Sequence, residues 1–80
     1  MQTKGEYLVG ANFNPSGNNL VDQIKRKAAD LIDTISQIEA SNDAEHSQIS
    51  ETHRCRSLAI TNIEQGAMWA VKSATKPAQK

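Results

Sequence analysis

From Val21 to Ile38 the apolar positions recur every three then four residues, through Ile24, Ala28, Leu31 and Ile35, which is the spacing of a helix with one packing seam. Leu20 and Ile32 widen the stripe beyond what one helical partner covers. Upstream, Asn14, Ser16 and Asn18 all offer side-chain oxygens that can cap free backbone amides, and Pro15 suits the first turn of a helix but not its interior. The first long helix is therefore expected over about 16–40. Ser41, Asn42 and Asp43 break the pattern, and Asn42 is followed three residues later by Glu45, the spacing of a capping-box variant, so this stretch reads as the turn of a helical hairpin. Nothing stops a second helix before Pro77, which predicts one over about 43–75.

The seam of that second helix reads Ile49, His53, Arg56, Ile60, Ile63, Ala67, Ala70 and Ala74. Leu58, Thr61, Met68 and Val71 form a neighbouring stripe with Trp69 between the two, so the C-terminal half is apolar on more than one side. Gly66 costs the helix up to about 1 kcal/mol relative to alanine, but together with Ala67, Ala70 and Ala74 it would let another helix approach closely. Residues 1–14 hold no period and read as an extended or one-turn arm, with Gly5 and Gly10 flanking Tyr7, Leu8 and Val9. The tail from Thr75 to Lys80 is expected to fray. The expected fold is all-α: an antiparallel two-helix hairpin with a short N-terminal arm or helix, one domain over 1–80, assembled into a homo-oligomer through the C-terminal halves of the second helix.

Length sharpens the oligomer expectation. At 80 residues the chain is below the size at which a single core comfortably outweighs chain entropy, so partners are expected to stabilise it. Nine basic and nine acidic residues cancel, which argues against a protein that coats DNA or a membrane by bulk charge. One cysteine, Cys55, rules out an internal disulfide. No apolar run has the length of a membrane span or the form of a signal peptide, and the expected location is cytoplasmic.

Catalytic chemistry has little to stand on. His46 and His53 lie two turns apart, about 10 Å along a helix axis, too far for joint ligation of one metal, and no CxxC or HExxH spacing occurs. No catalytic residue, metal or cofactor is expected. Cys55 sits between Arg54 and Arg56, which favours the thiolate, against the commoner outcome of a buried or inert thiol. Anion binding is better supported. Lys25, Arg26 and Lys27 follow a loop aromatic, Phe13, and a helix N-terminus, a grouping suited to a phosphate under a stacked base; the plain alternative is a solvated face. His53, Arg54 and Arg56 form a second group. Arg56 stands in a seam and needs countercharge, either a carboxylate such as Glu51 or Glu64 of another copy or a bound anion, to which the hydroxyls of Ser57 and Thr61 could also donate.

The segments FNPSGNNLVDQIKRKAADLID and RSLAITNIEQGAMWAVKSATK, the second with its Met68-Trp69-Ala70 core, resemble the phage anti-CBASS protein 2 family over roughly Tyr7 to Lys76. The resemblance implies small helical hairpins forming homohexamers that trap cyclic dinucleotide messengers of bacterial CBASS immunity, so that the effector stays off. It also implies a separate cyclic trinucleotide site in some members, and a related hairpin that sequesters the cyclic ADP-ribose signals of Thoeris defence. Matched by position, Lys25 is the phosphate-binding lysine of the dinucleotide site. Both Tyr7, which keeps the residue type, and Phe13, which is nearer to Lys25, are candidates for the ring that stacks on a base. Arg56 and Thr61 match the trinucleotide site, with Ser57 beside them. The implied location is the cytoplasm of the infected host.

Two readings of different class follow. One is a non-enzymatic sponge that binds cyclic dinucleotides, and in a second site cyclic trinucleotides, without cleaving them. The other is a structural helical oligomerisation or adaptor module with no small-molecule ligand, for which the two seams suffice. A DNA-binding hairpin fits poorly with zero net charge.

Overall fold

The structure, a computed structural model, describes residues 1–78; of the tail expected to fray, residues 79 and 80 lie outside the described residues. Three helices follow in order: α1 (Lys4–Val9), α2 (Asn19–Ile35) and α3 (His46–Ala74), with no strand among the described residues. The arm, read as extended or one-turn, contains a short helix. It forms because Thr3 and Glu6 close a reciprocal capping box and Gly10, at φ 63°, ends the helix in the left-handed region that a glycine adopts freely.

Both long helices are shorter than expected. For α2, Asn18 is the cap, its side chain accepting from the Leu20 amide, while Asn14, Pro15 and Ser16 stay outside in a turn closed by Gly17. Its C-terminal end is Ile35, because the Ser36 hydroxyl turns back to the Ile32 carbonyl and Gln37 and Ile38 continue only as a tighter turn. For α3 the capping box is not Asn42 with Glu45 but Glu45 with Gln48, whose side chain reaches the Glu45 amide at 2.8 Å.

α2 and α3 are antiparallel: the Asn18 side-chain amide at the start of α2 donates to the carbonyl of Ala74 at the end of α3, and Arg56 in mid-α3 donates to the Ile38 carbonyl just beyond α2. α1 runs antiparallel to α2, Gly5 meeting Asp33 and Gly10 meeting Lys25, and it also touches α3. The molecule measures 57 × 29 × 13 Å, so its thinnest dimension is hardly more than one helix. Its radius of gyration is 15.7 Å, against about 12 Å for a compact chain of this length.

A sheet of helices one layer thick buries little. Val21, Ala29, Ile32, Ile60 and Ala67 are the buried apolar residues, joined by the Lys25 side chain. In α2 the buried line therefore runs Val21, Lys25, Ala29, Ile32, rotated from the expected seam: Leu31 is 48% exposed and its neighbour Ile32 fully buried, and Ile38 faces outward. The α3 seam holds at Ile60 and Ala67, with Ile49, Arg56, Ile63, Ala70 and Ala74 half-buried, but His53 is exposed. Tyr7, Phe13, Leu20, Leu58, Met68 and Trp69 remain exposed.

Candidate functional site: a cleft between three helices

α1 is pinned to α2 by an approach that only glycine permits. A Cβ on Gly5 would lie 2.1 Å from the carbonyl oxygen of Ala29, and the Gly5 amide donates to Asp33 Oδ1 at 2.7 Å. Next to it, Glu6 bonds Arg26 at 2.9 Å. The Glu6 carboxyl is pushed down to about 2, first by the Thr3 backbone amide that it accepts from and then by Arg26, while Glu6 in turn holds the Arg26 guanidinium above its ordinary range. Sequence reading missed this anchor. The available signal was Gly5 itself, a poor helix former inside a six-residue helix, which marks a close backbone approach.

The docking of α1 leaves a half-open cleft of about 400 Å³, walled by Tyr7 and Gly10, by Phe13 of the following loop, by Lys25 of α2, and by Glu64 and Met68 of α3. Its volume is within the range of small-molecule sites. Tyr7, Phe13 and Lys25, which lie apart in the chain, thus line one space. Lys25 is 8% exposed; its ammonium donates to the carbonyls of Gly10, at 3.2 Å, and Phe13, and stands 5.4 Å from the centre of the Phe13 ring. One of the three ammonium protons is left over beyond these two bonds. Lys25 therefore ties down the loop that carries the aromatic while presenting charge to the cleft.

Loop geometry rests on asparagines. Asn14 donates to the Asn18 carbonyl and to Asp22, Ser16 donates to Asn14, and the Asn18 amide donates back to Ser16. These bonds hold the turn after Phe13, and the Asn18 bond to Ala74 ties it to the end of α3.

The first cationic run does not act as a unit. Lys25 enters the cleft, Arg26 is engaged by Glu6 and Asp30, and Lys27 borders a separate surface hollow with Asn12 and Asp22. At the start of α2 the Leu20 amide is taken by the Asn18 side chain and the Val21 and Asp22 amides by the Asn18 carbonyl. The second run also diverges. Arg54 pairs with Glu51 at 2.5 Å, His53 is exposed, and half-buried Arg56 donates to the Ile38 carbonyl, a neutral acceptor that brings no countercharge. Ser57 and Thr61 are exposed one turn apart on α3. Cys55 is exposed rather than buried, with its thiol 3.6 Å from Glu51.

Fold and cleft together define a small all-helical hairpin protein with a ligand-sized hollow between its short helix and the hairpin. The family model described as "Acb2/Tad1, hairpin domain" matches residues 6–75, and the chain belongs to this family. No curated protein and no solved structure matches the chain. The matched span covers α1 from Glu6 onward, the loop, and both hairpin helices, which are the elements that wall the cleft. No helix among the described residues is long and apolar enough to cross a membrane.

Proposed function

We propose that this chain is a phage anti-defence protein that binds and sequesters cyclic dinucleotide messengers of CBASS immunity without cleaving them. Family membership supports the anti-defence role. The observation that carries the ligand is the meeting of two rings and one cation in a single cleft: Tyr7 and Phe13 offer stacking faces, and Lys25 offers charge to a phosphate. Base stacking contributes about 1–3 kcal/mol per base in proteins that bind single strands. The cleft is open on one side, and a second copy of the chain closes it in this reading, so that both partners clamp one ligand. A homohexamer is the assembly the reading adopts, with the exposed Met68 and Trp69 of α3 at its interfaces.

The same reading assigns cyclic trinucleotides to a second site built from Arg56, Ser57 and Thr61 of several copies around an axis. Arg56 is half-buried beside two exposed hydroxyl residues, and its guanidinium has donors beyond the one used by Ile38. The location is the infected host's cytoplasm. Exposure of Leu31, Ile38, Leu58, Met68 and Trp69 favours a second reading, an oligomerisation module with no small ligand.

Native mass measurement and calorimetric titration with cyclic dinucleotides separate the two. The sponge gives an oligomer, heat of binding and a ligand recovered intact by chromatography; an oligomer that gives no heat identifies the module, and a cleaved ligand identifies an enzyme.

A further inference from the structure

We infer that Glu64 reads the base in the cleft and selects guanine, an inference that rests on the cyclic dinucleotide reading above. Glu64 is the acidic residue in the cleft wall, carried on α3. It is half-buried, yet among the described residues it takes part in no side-chain hydrogen bond and no ion pair. Lys25 lines the same cleft and donates to the carbonyls of Gly10 and Phe13, and it makes no ion pair with Glu64. A carboxylate in a cleft wall that has no protein partner is available to a ligand with matching donors.

An ionised carboxylate only accepts hydrogen bonds, through two oxygens side by side. It repels a phosphate, so in a cleft that takes a cyclic dinucleotide it faces a base. Guanine presents two adjacent donors on its pairing edge, N1–H and the N2 amino group, which match the two oxygens. Adenine presents an acceptor, N1, beside its amino group, and cytosine presents N3 in the same way, so either places a lone pair against an oxygen. Bases held by stacking on an aromatic ring are read along such edges. With Phe13 or Tyr7 against the face of the base and Lys25 at the phosphate, Glu64 supplies recognition that neither ring nor cation provides.

The test is titration of the wild type, Glu64→Gln and Glu64→Ala with cyclic di-GMP and cyclic di-AMP, with native mass recorded for each protein. Expected for the wild type is preference for cyclic di-GMP. Glu64→Gln, which keeps size but gives one donor and one acceptor, lowers cyclic di-GMP affinity about ten- to a hundredfold and leaves cyclic di-AMP within about threefold or improved. Glu64→Ala loses guanine preference without gaining adenine. Equal change for both ligands, or wild-type preference for cyclic di-AMP, overturns the assignment while the sponge reading stands. A change in oligomer mass on Glu64→Gln also overturns it, because the carboxylate then pairs with another copy. Failure of the wild type to bind either ligand counts against the sponge reading itself.

Discussion

Replacing Gly5 by alanine tests whether the short helix is truly seated on α2. The added Cβ would lie 2.1 Å from the Ala29 carbonyl oxygen, 2.8 Å from its carbonyl carbon and 2.9 Å from its Cα. All three are backbone atoms of a helix and cannot swing aside as a side chain does. α1 must therefore retreat by about 1 Å, and overpacking of this kind costs about 1–3 kcal/mol. Retreat also stretches the 2.7 Å bond from the Gly5 amide to Asp33, and a bond to a charged acceptor contributes about 1.5–3 kcal/mol. Against this, alanine favours the helix by at most about 1 kcal/mol. The balance is about 1.5–5 kcal/mol against docking, or about a 10- to 5,000-fold rise in the opening equilibrium of α1.

Amide hydrogen exchange reads that opening directly. The Tyr7 amide, which donates to the Thr3 carbonyl at 3.0 Å, and the Ala11 amide, bonded to Glu6, should lose protection in Gly5→Ala, while amides in mid-α2 and mid-α3 keep theirs. Because Tyr7 walls the cleft, cyclic dinucleotide affinity should fall in parallel. Unchanged exchange at these two amides, or a higher melting temperature, would refute the close approach as the anchor of α1.

The pH dependence of the same contact has a definite sign. Glu6 titrates near 2 in the folded chain against an ordinary 4.5, so its contribution to α1 docking is complete above about 4.5 and lost as pH falls through about 2; exchange at the Tyr7 amide should rise over that window and not above it. Arg26→Ala should raise the Glu6 pKa only part of the way, since the Thr3 amide remains; a full return to 4.5, read by carboxyl NMR, would make Arg26 the main cause. Lys25→Met keeps the buried stem but removes the charge that holds Gly10 and Phe13, and should weaken cyclic dinucleotide binding about tenfold or more while the Phe13 amide exchanges faster, both measurable on one sample. Ile32→Ala should cost about 2–4 kcal/mol in urea unfolding at low protein concentration and Leu31→Ala well under about 1 kcal/mol; the reverse order would return the packing line to the one periodicity suggested.

Spacing alone was enough for the element type and order. Apolar residues at three and four positions, a polar break at Ser41 to Asp43, and Pro77 define two helices and a hairpin, and α3 buries Ile60 and Ala67 where its pattern places them. The rotation of α2 was not legible, because its wide stripe admits more than one centre line. That choice is made by two neighbours at once, α3 and α1, and Ala29 becomes fully buried because Gly5 lies against its backbone. Residue type nominated Tyr7, Phe13 and Lys25 as chemistry. Only the folded chain puts them on one cleft, since a local pattern carries no record of α1 folding back antiparallel along α2. Nor could the run Lys25, Arg26, Lys27 disclose its division of labour: successive helical residues point about 100° apart, so the three cations meet a loop carbonyl, a carboxylate and solvent in turn. Direction around a helix axis is local, but what waits in each direction is tertiary.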